Sequence, residues 1–271
     1  MPNHQFRAVA FDLDDTMLRD DLTISAHSVL VLRRLAALGV HIIPASGRAQ
    51  LSMKPFVDLL SCAPVYISCN GAEIWSGISH QLLHSVYFSA ELGKEIAAFG
   101  NRHSVYAQTY AGDHFYYNEE SEWSRRYADA SMLSGIYVGN LVSFIREPRS
   151  KILMMADPAK IADMLKEAQV LFRGRASVTS SKPWFLEFNP PDATKGRALS
   201  WTASCLKLSP ADFISFGDSL NDLSMLQAAG RGVLMKNGRP ELRPLCDDVC
   251  GSNQNDGVAG YLEKVFGKEL A

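Results

Sequence analysis

Two carboxylates one residue apart stand in the segment Phe11-Asp12-Leu13-Asp14-Asp15-Thr16. Alternate side chains of an extended chain project to one side, so Asp12 and Asp14 would face the same volume. Gathering carboxylates is unfavourable unless a cation neutralises them, and hard oxygen donors with room for water suit Mg²⁺. Taken alone, an Asp-x-Asp is more often a solvated turn or a helix cap.

Further clusters alter that balance. Ser46-Gly47-Arg48 offers a hydroxyl, a glycine that lets main-chain N–H groups approach an anion, and a guanidinium fork. Asn70-Gly71 is a second cluster. Gly217-Asp218 with Asn221-Asp222 is a third, and its two carboxylates would extend the oxygen shell of a metal. Lys195, followed by Gly196, is a cation able to balance the aspartates and a phosphoryl group in transfer.

The elements that must position these residues read as follows. Residues 6–11 form an apolar run ending in acids, the pattern of a buried parallel strand. Ser25 caps a helix that runs through Val29, Leu32, Leu35 and Leu38 and stops at Gly39. A strand at 40–44, a helix at 51–60 and a strand at 65–69 complete a β-α-β-α-β alternation, which implies a parallel sheet. The carboxyl third repeats the pattern with a helix at 195–206, a strand at 213–216, a helix at 219–229, a strand at 232–235 and a last helix at 258–266. The clusters at 12–16, 46–48, 70–71 and 217–222 each fall at the carboxyl end of a predicted strand, where open α/β sheets bind ligands. Residues 82–187 change character, with aromatic extended stretches and helices near 89–101 and 158–172, and read as an α+β insertion.

The bulk properties exclude several classes. The 271 residues are 47% hydrophobic, enough for a sizeable core without disulfides. Lys and Arg number 27 against 29 Asp and Glu, mixed along the chain, which points to no nucleic-acid and no membrane partner. Five mostly isolated cysteines read as reduced thiols of a cytoplasmic protein. No apolar run is long enough to span a bilayer, and the stretch 1–7 lacks the basic-then-apolar pattern of a leader.

In chain order, Asp12-x-Asp14-x-Thr16, Ser46-Gly47-Arg48, Lys195-Gly196 and Gly217-Asp218-x-x-Asn221-Asp222 resemble the four motifs of the haloacid dehalogenase-like phosphohydrolases. Asn70-Gly71-Ala72, Glu187-Phe188-Asn189-Pro190-Pro191 and Asn255-Asp256-Gly257-Val258-Ala259 look like recurring segments of its Cof-type, sugar-phosphatase-like branch. The resemblance covers nearly the whole chain. It implies an α/β fold: a Rossmann-like parallel-sheet core from 1–81 and 188–271, with an α+β cap inserted at 82–187 for substrate selection.

The same resemblance implies a Mg²⁺-dependent phosphatase acting on a small phosphate ester, such as a sugar phosphate, pyridoxal phosphate or flavin mononucleotide. Asp12 would be the nucleophile that forms an aspartyl-phosphate. Asp14 would protonate the leaving oxygen and then activate water, and Lys195 and Ser46 would hold phosphoryl oxygens. Gly47, Arg48, Asn70, Gly71 and Asn221 would complete the substrate site. The metal would be held by Asp12, Asp14 through its backbone carbonyl, and Asp218, with Asp222 beside them. Asp15 stands where the family often has glycine. The alternatives are a phosphomutase or phosphotransferase of the same superfamily and a non-catalytic binder of phosphorylated ligands. A monomer or homodimer is expected.

Overall fold

A computed structural model describes residues 6–112 and 114–270; the stretch before Phe6, read above for a leader, lies outside them. The chain divides into two compact units, Met1–His84 with Thr194–Ala271, and Ser85–Ala193.

The first unit is built on a five-stranded parallel sheet in the order Asp248–Val249, Arg231–Leu234, Phe213–Gly217, Ala8–Phe11, His41–Pro44. Once the parallel bridge from Ala45 to Ile67 adds Val65–Ser68 beyond His41–Pro44, Ala8–Phe11 is one of the two central strands, and the chain leaves it toward His41–Pro44 and returns on its other side at Phe213–Gly217. That reversal of winding opens a crevice at the carboxyl end of Ala8–Phe11, where Asp12 follows. The same bridge leads to a small antiparallel sheet of Val65–Ser68, Glu73–Ser76 and Leu82–Ser85.

Period-two alternation in Ala8–Phe11 sets what packs on each face. Val9 and Phe11 meet Leu32, Leu35, Met53, Phe56 and Leu262 from the helices Ala26–Ala37, Gln50–Leu60 and Gly257–Leu270. Ala8 and Ala10, on the opposite face, are small, and Ala198, Leu199 and Met225 pack there. The helix Lys195–Cys205 lies so close to the segment leading through Leu223–Ala228 that a Cβ on Gly196 would stand 2.2 Å from the Ser224 carbonyl oxygen. Ser25 accepts the Ser28 N–H at 2.9 Å and Thr194 accepts the Arg197 N–H at 3.2 Å, so both helices start on side-chain caps.

One element is shorter than its sequence pattern. The helix expected at 219–229 spans only Leu223–Ala228, because the Asp222 carboxylate accepts the N–H groups of Asp218 and Ser219, both at 3.0 Å, and bends 218–222 into a loop. The residue at the N-cap position is Asp222.

The second unit carries a six-stranded sheet in the order Ser177–Thr179, Phe185–Asn189, Ile152–Met155, Tyr106–Ala111, His114–Tyr117, Gly135–Tyr137, antiparallel except for the last pair. Its helices Ala90–Arg102 and Pro158–Leu171 bury Phe99, Phe172 and Phe188 in mutual edge-to-face contact, with centroids 5.5 to 6.1 Å apart. It thus has an apolar core of its own.

Gly196→Ala should destabilise the protein by about 1–3 kcal/mol, the usual range for overpacking against backbone. Urea unfolding of the variant checks this, and an unchanged midpoint would refute the close approach.

Candidate active site

The strand Ala8–Phe11 ends with the Asp12 N–H donating to the Phe216 carbonyl at 3.0 Å, so the Asp12 backbone belongs to the sheet and only its side chain enters the crevice. The chain then turns sharply. Asp14 is extended and Asp15 takes a left-handed conformation (φ 57°, ψ 8°), which is why glycine suits that position. The turn is held from outside by Asn237, whose Nδ2 donates to the Asp15 carbonyl at 2.7 Å.

Lys195 lies at the centre. Its side chain has no solvent exposure, and its Nζ donates to Asp12 Oδ1 at 2.6 Å and to Asp222 Oδ1 at 2.5 Å. Burial alone would lower the pKa of this ammonium, but Asp12 and Asp222 raise it above the ordinary lysine value, so it stays charged. Gly71 (φ +101°) brings the loop 69–71 against the start of the lysine's helix, where a Cβ would stand 2.4 Å from the Thr194 carbonyl oxygen. This close approach fixes the origin of the Lys195 side chain.

Asp218 accepts the Thr16 hydroxyl at 3.0 Å through Oδ1, which ties the segment Leu13–Met17 to the end of the strand Phe213–Gly217. Asp12, Asp218 and Asp222 each place a carboxylate oxygen within 4.8 Å of the others. Burial, and behind it the charge of Asp222, pushes the Asp218 carboxyl up to about 7. Burial also holds Asp12 well above the usual carboxylate range, opposed by Lys195 and reinforced by Asp222, Asp218 and Asp14.

The remaining residues lie on the loops around these. Ser46 is buried, its Oγ accepts the Arg48 N–H at 3.1 Å, and its carbonyl accepts the Asn70 N–H at 3.0 Å. Gly47 lies against the Asn70 amide, where a Cβ would be 2.8 Å from Oδ1. Asn70 in turn accepts from Asn221 Nδ2 at 3.0 Å, and Asn221 accepts the Ser219 hydroxyl at 2.5 Å. Arg48 donates through Nε and Nη2 to the two Asp14 oxygens at 2.8 and 2.7 Å. The eleven residues singled out from the sequence are thus brought to one end of one sheet. Ser52 and Phe56, which hold Arg48, were not singled out, although their spacing of four and eight residues from Arg48 was there to read.

The donor set fits a hard divalent cation. Among Asp12, Asp14, Asp218 and Asp222 there are four formal negative charges against Lys195 and Arg48, leaving two in excess. Asp222 has Oδ1 on Lys195 and Oδ2 on two N–H groups, and Asp14 has both oxygens on Arg48. Asp12 and Asp218 each hold only Oδ1 in a hydrogen bond among the described residues, so Asp218 has Oδ2 to give, while Asp12 has a second lone pair on Oδ1 beside Lys195 and keeps Oδ2 over.

The family model for haloacid dehalogenase-like hydrolases matches residues 9–262. The chain belongs to this family. It is 27% identical to the 5-amino-6-(5-phospho-D-ribitylamino)uracil phosphatase of Bacillus subtilis over 98% of this chain and 100% of that one. It is also 27% identical to the HMP-PP phosphatase of Serratia proteamaculans, over 95% of this chain and 94% of that one. Among solved structures, a haloacid dehalogenase-like hydrolase from Bacteroides thetaiotaomicron superposes with a TM-score of 0.88 at 25% identity, covering 96% of this chain and 100% of the other. The α/β architecture of this hydrolase is therefore that of the family. No helix among its described residues is long and apolar enough to cross a membrane, and its five cysteines are free thiols.

Lys195→Met should destabilise this hydrolase by roughly 3–5 kcal/mol, because it leaves the Asp12 and Asp222 carboxylates buried without their cation. Chemical denaturation measures the loss; a variant as stable as the parent would show that the ammonium does not neutralise them.

Proposed function

We propose that this phosphoric monoester hydrolase releases phosphate from small phosphorylated metabolites in two displacements through an aspartyl-phosphate on Asp12, with Mg²⁺ as its metal. The observation that carries the reading is the placement of Asp12 at the end of the strand Ala8–Phe11, with Oδ1 anchored by a buried Lys195 and Oδ2 left to react. An anchored oxygen fixes the aim of its partner, so the carboxylate meets phosphorus in one orientation.

In the first step Asp12 Oδ2 forms a bond to phosphorus as the ester P–O bond breaks, and Asp14 gives its proton to the leaving oxygen. In the second, a water attacks phosphorus, its proton passes to Asp14, and the acyl-phosphate bond breaks to restore Asp12. The Asp14 side chain keeps 35% of its surface exposed, which gives leaving group and water a way to it. Lys195 and the Ser46 hydroxyl stabilise the charge that spreads over the phosphoryl oxygens, and the N–H groups near Gly47 add neutral donors. Asn70, Gly71 and Asn221 hold these loops at the rim of the phosphoryl site.

Asp12, Asp218 and the Asp14 backbone carbonyl would hold Mg²⁺, with Asp222 keeping Lys195 and the 218–219 backbone in place. When bound, the ion supplies two positive charges that neutralise the surplus carboxylate charge and draw electron density from the phosphoryl group. Sugar phosphates and phosphorylated cofactors such as pyridoxal phosphate and flavin mononucleotide are the substrate class. Its support is that the Bacillus subtilis relative is named for a phosphorylated ribitylaminouracil and the Serratia relative for HMP-PP. The unit Ser85–Ala193 is assigned the choice among such substrates. Free thiols and mixed charge fit a cytoplasmic monomer or homodimer with no nucleic-acid or membrane partner.

Asp12→Asn should lower phosphate release from p-nitrophenyl phosphate by at least about 1000-fold, as loss of a nucleophile does; retained turnover would end the covalent scheme. Independently of activity, Mg²⁺ should raise the melting temperature, with a stabilisation of about 2.7 kcal/mol at a concentration of about 100 Kd. Asp218→Asn should abolish that rise, and a wild-type protein indifferent to Mg²⁺ would refute the metal assignment.

A further inference from the structure

Arg48 is paired with Asp14 beside the proposed phosphoryl site. Its Nε/Nη2 edge, the one shaped for a planar anion, meets both oxygens of Asp14 at 2.8 and 2.7 Å. The head group is also fixed from behind. Nη1 donates to Ser52 Oγ at 2.9 Å, and the guanidinium carbon stands 5.6 Å from the centre of the Phe56 ring. Ser52 and Phe56 are buried residues of the helix Gln50–Leu60, four residues apart and so on one face of it. A long side chain that would otherwise sample many rotamers is held at two points, and only 11% of its surface is exposed.

We propose that Arg48, locked by Ser52 and Phe56, is the positioning residue of Asp14, setting where its carboxyl group stands for proton transfer, and is not a ligand of the substrate's phosphoryl oxygens. The inference rests on the reading of Asp14 as acid and base. The proton itself stays with Asp14; Arg48 contributes the geometry. Lysine would keep the charge but not the fork, so it cannot hold two oxygens in one plane.

The dependence of rate on the leaving group tests this. For an enzyme that passes through a covalent intermediate, kcat/KM reports the steps up to departure of the leaving group. A basic alkoxide leaves poorly without a proton, whereas p-nitrophenolate hardly needs one. Arg48→Lys should therefore lose on the order of 100-fold in kcat/KM on an alkyl phosphate such as a sugar phosphate, and less than about 10-fold on p-nitrophenyl phosphate. Ser52→Ala and Phe56→Leu should show the same selectivity with smaller losses, with KM little changed. Adding Arg48→Lys to Asp14→Asn should cost little further, since the group it positions is gone.

Equal losses on both substrates, carried by a raised KM, would overturn the proposal and make Arg48 a phosphoryl ligand. If Arg48→Lys does not fold, Ser52→Ala decides, because it removes one hydroxyl from the same lock; no selectivity there also overturns it. Asp14→Asn separates the two readings. If it fails to discriminate between the substrates, the acid role of Asp14 falls; if it discriminates and the Arg48 and Ser52 variants do not, only the positioning role falls.

Discussion

A lysine ammonium with no exposure to water, shared between Asp12 and Asp222, is the constraint around which the first unit is arranged. The two partners lie 183 and 27 residues away in the chain. Taking three charges out of water is costly, and such a triad is weak as a source of stability compared with apolar groups of the same volume. Its presence is therefore better explained by what it holds than by what it stabilises. The fold delivers each member with small tolerance: Asp12 by the last ladder bond of the strand Ala8–Phe11, Lys195 by the Thr194 cap and the Gly71 approach, and Asp222 by two N–H groups of its own loop.

That arrangement explains which parts of the molecule could be read in the sequence. The parallel strand Ala8–Phe11 is a continuous apolar run, and Phe213–Gly217 is one interrupted only by the buried Ser215, because both faces are covered. The helix Ala26–Ala37 carries its cap and its apolar period openly. The acidic and basic residues of the site fell in short clusters, since the ends of parallel strands all open to one side. What was hidden depends on contacts distant in sequence. The shortening of the helix after Ser219 follows from a carboxylate turned back onto its own loop, which no helical period records. The helix Glu122–Ser131 has little apolar pattern to show, with Trp123 and Tyr127 as its large apolar side chains. The edge strand Asp248–Val249 is two residues long and carries no signal above that of a loop.

The site shows the same division. Residue types and order pointed to Asp12, Asp14, Lys195 and Asp218, but not to how the oxygens are distributed among donors. Asp222 looks like a metal ligand by composition. Its carboxylate does stand within 4.8 Å of those of Asp12 and Asp218, and its Oδ1 on Lys195 and Oδ2 on the 218–219 backbone also support two other members. Arg48 looks like an anion ligand by composition, and its fork is turned onto Asp14. Ionisable side chains have several interchangeable partners, so a sequence names the set and only the fold chooses the pairs.

The charge balance follows from those pairs. Once Lys195 is paired with Asp12 and Asp222, and Arg48 with Asp14, Asp218 is left, among the described residues, with a hydroxyl from Thr16 and no ion pair. Its carboxyl is accordingly pushed up to about 7 by burial and by Asp222. A buried acid in that condition is unfavourable as an anion unless charge comes from outside the chain. The protein has enough apolar core on both sides of the sheet to carry that unfavourable group. In the proposed reading the second oxygen of Asp218, beside the Asp12 carboxylate, is where a hard dication would make up that charge deficit. The local instability of Asp218 is in this sense the physical argument for the proposed metal site.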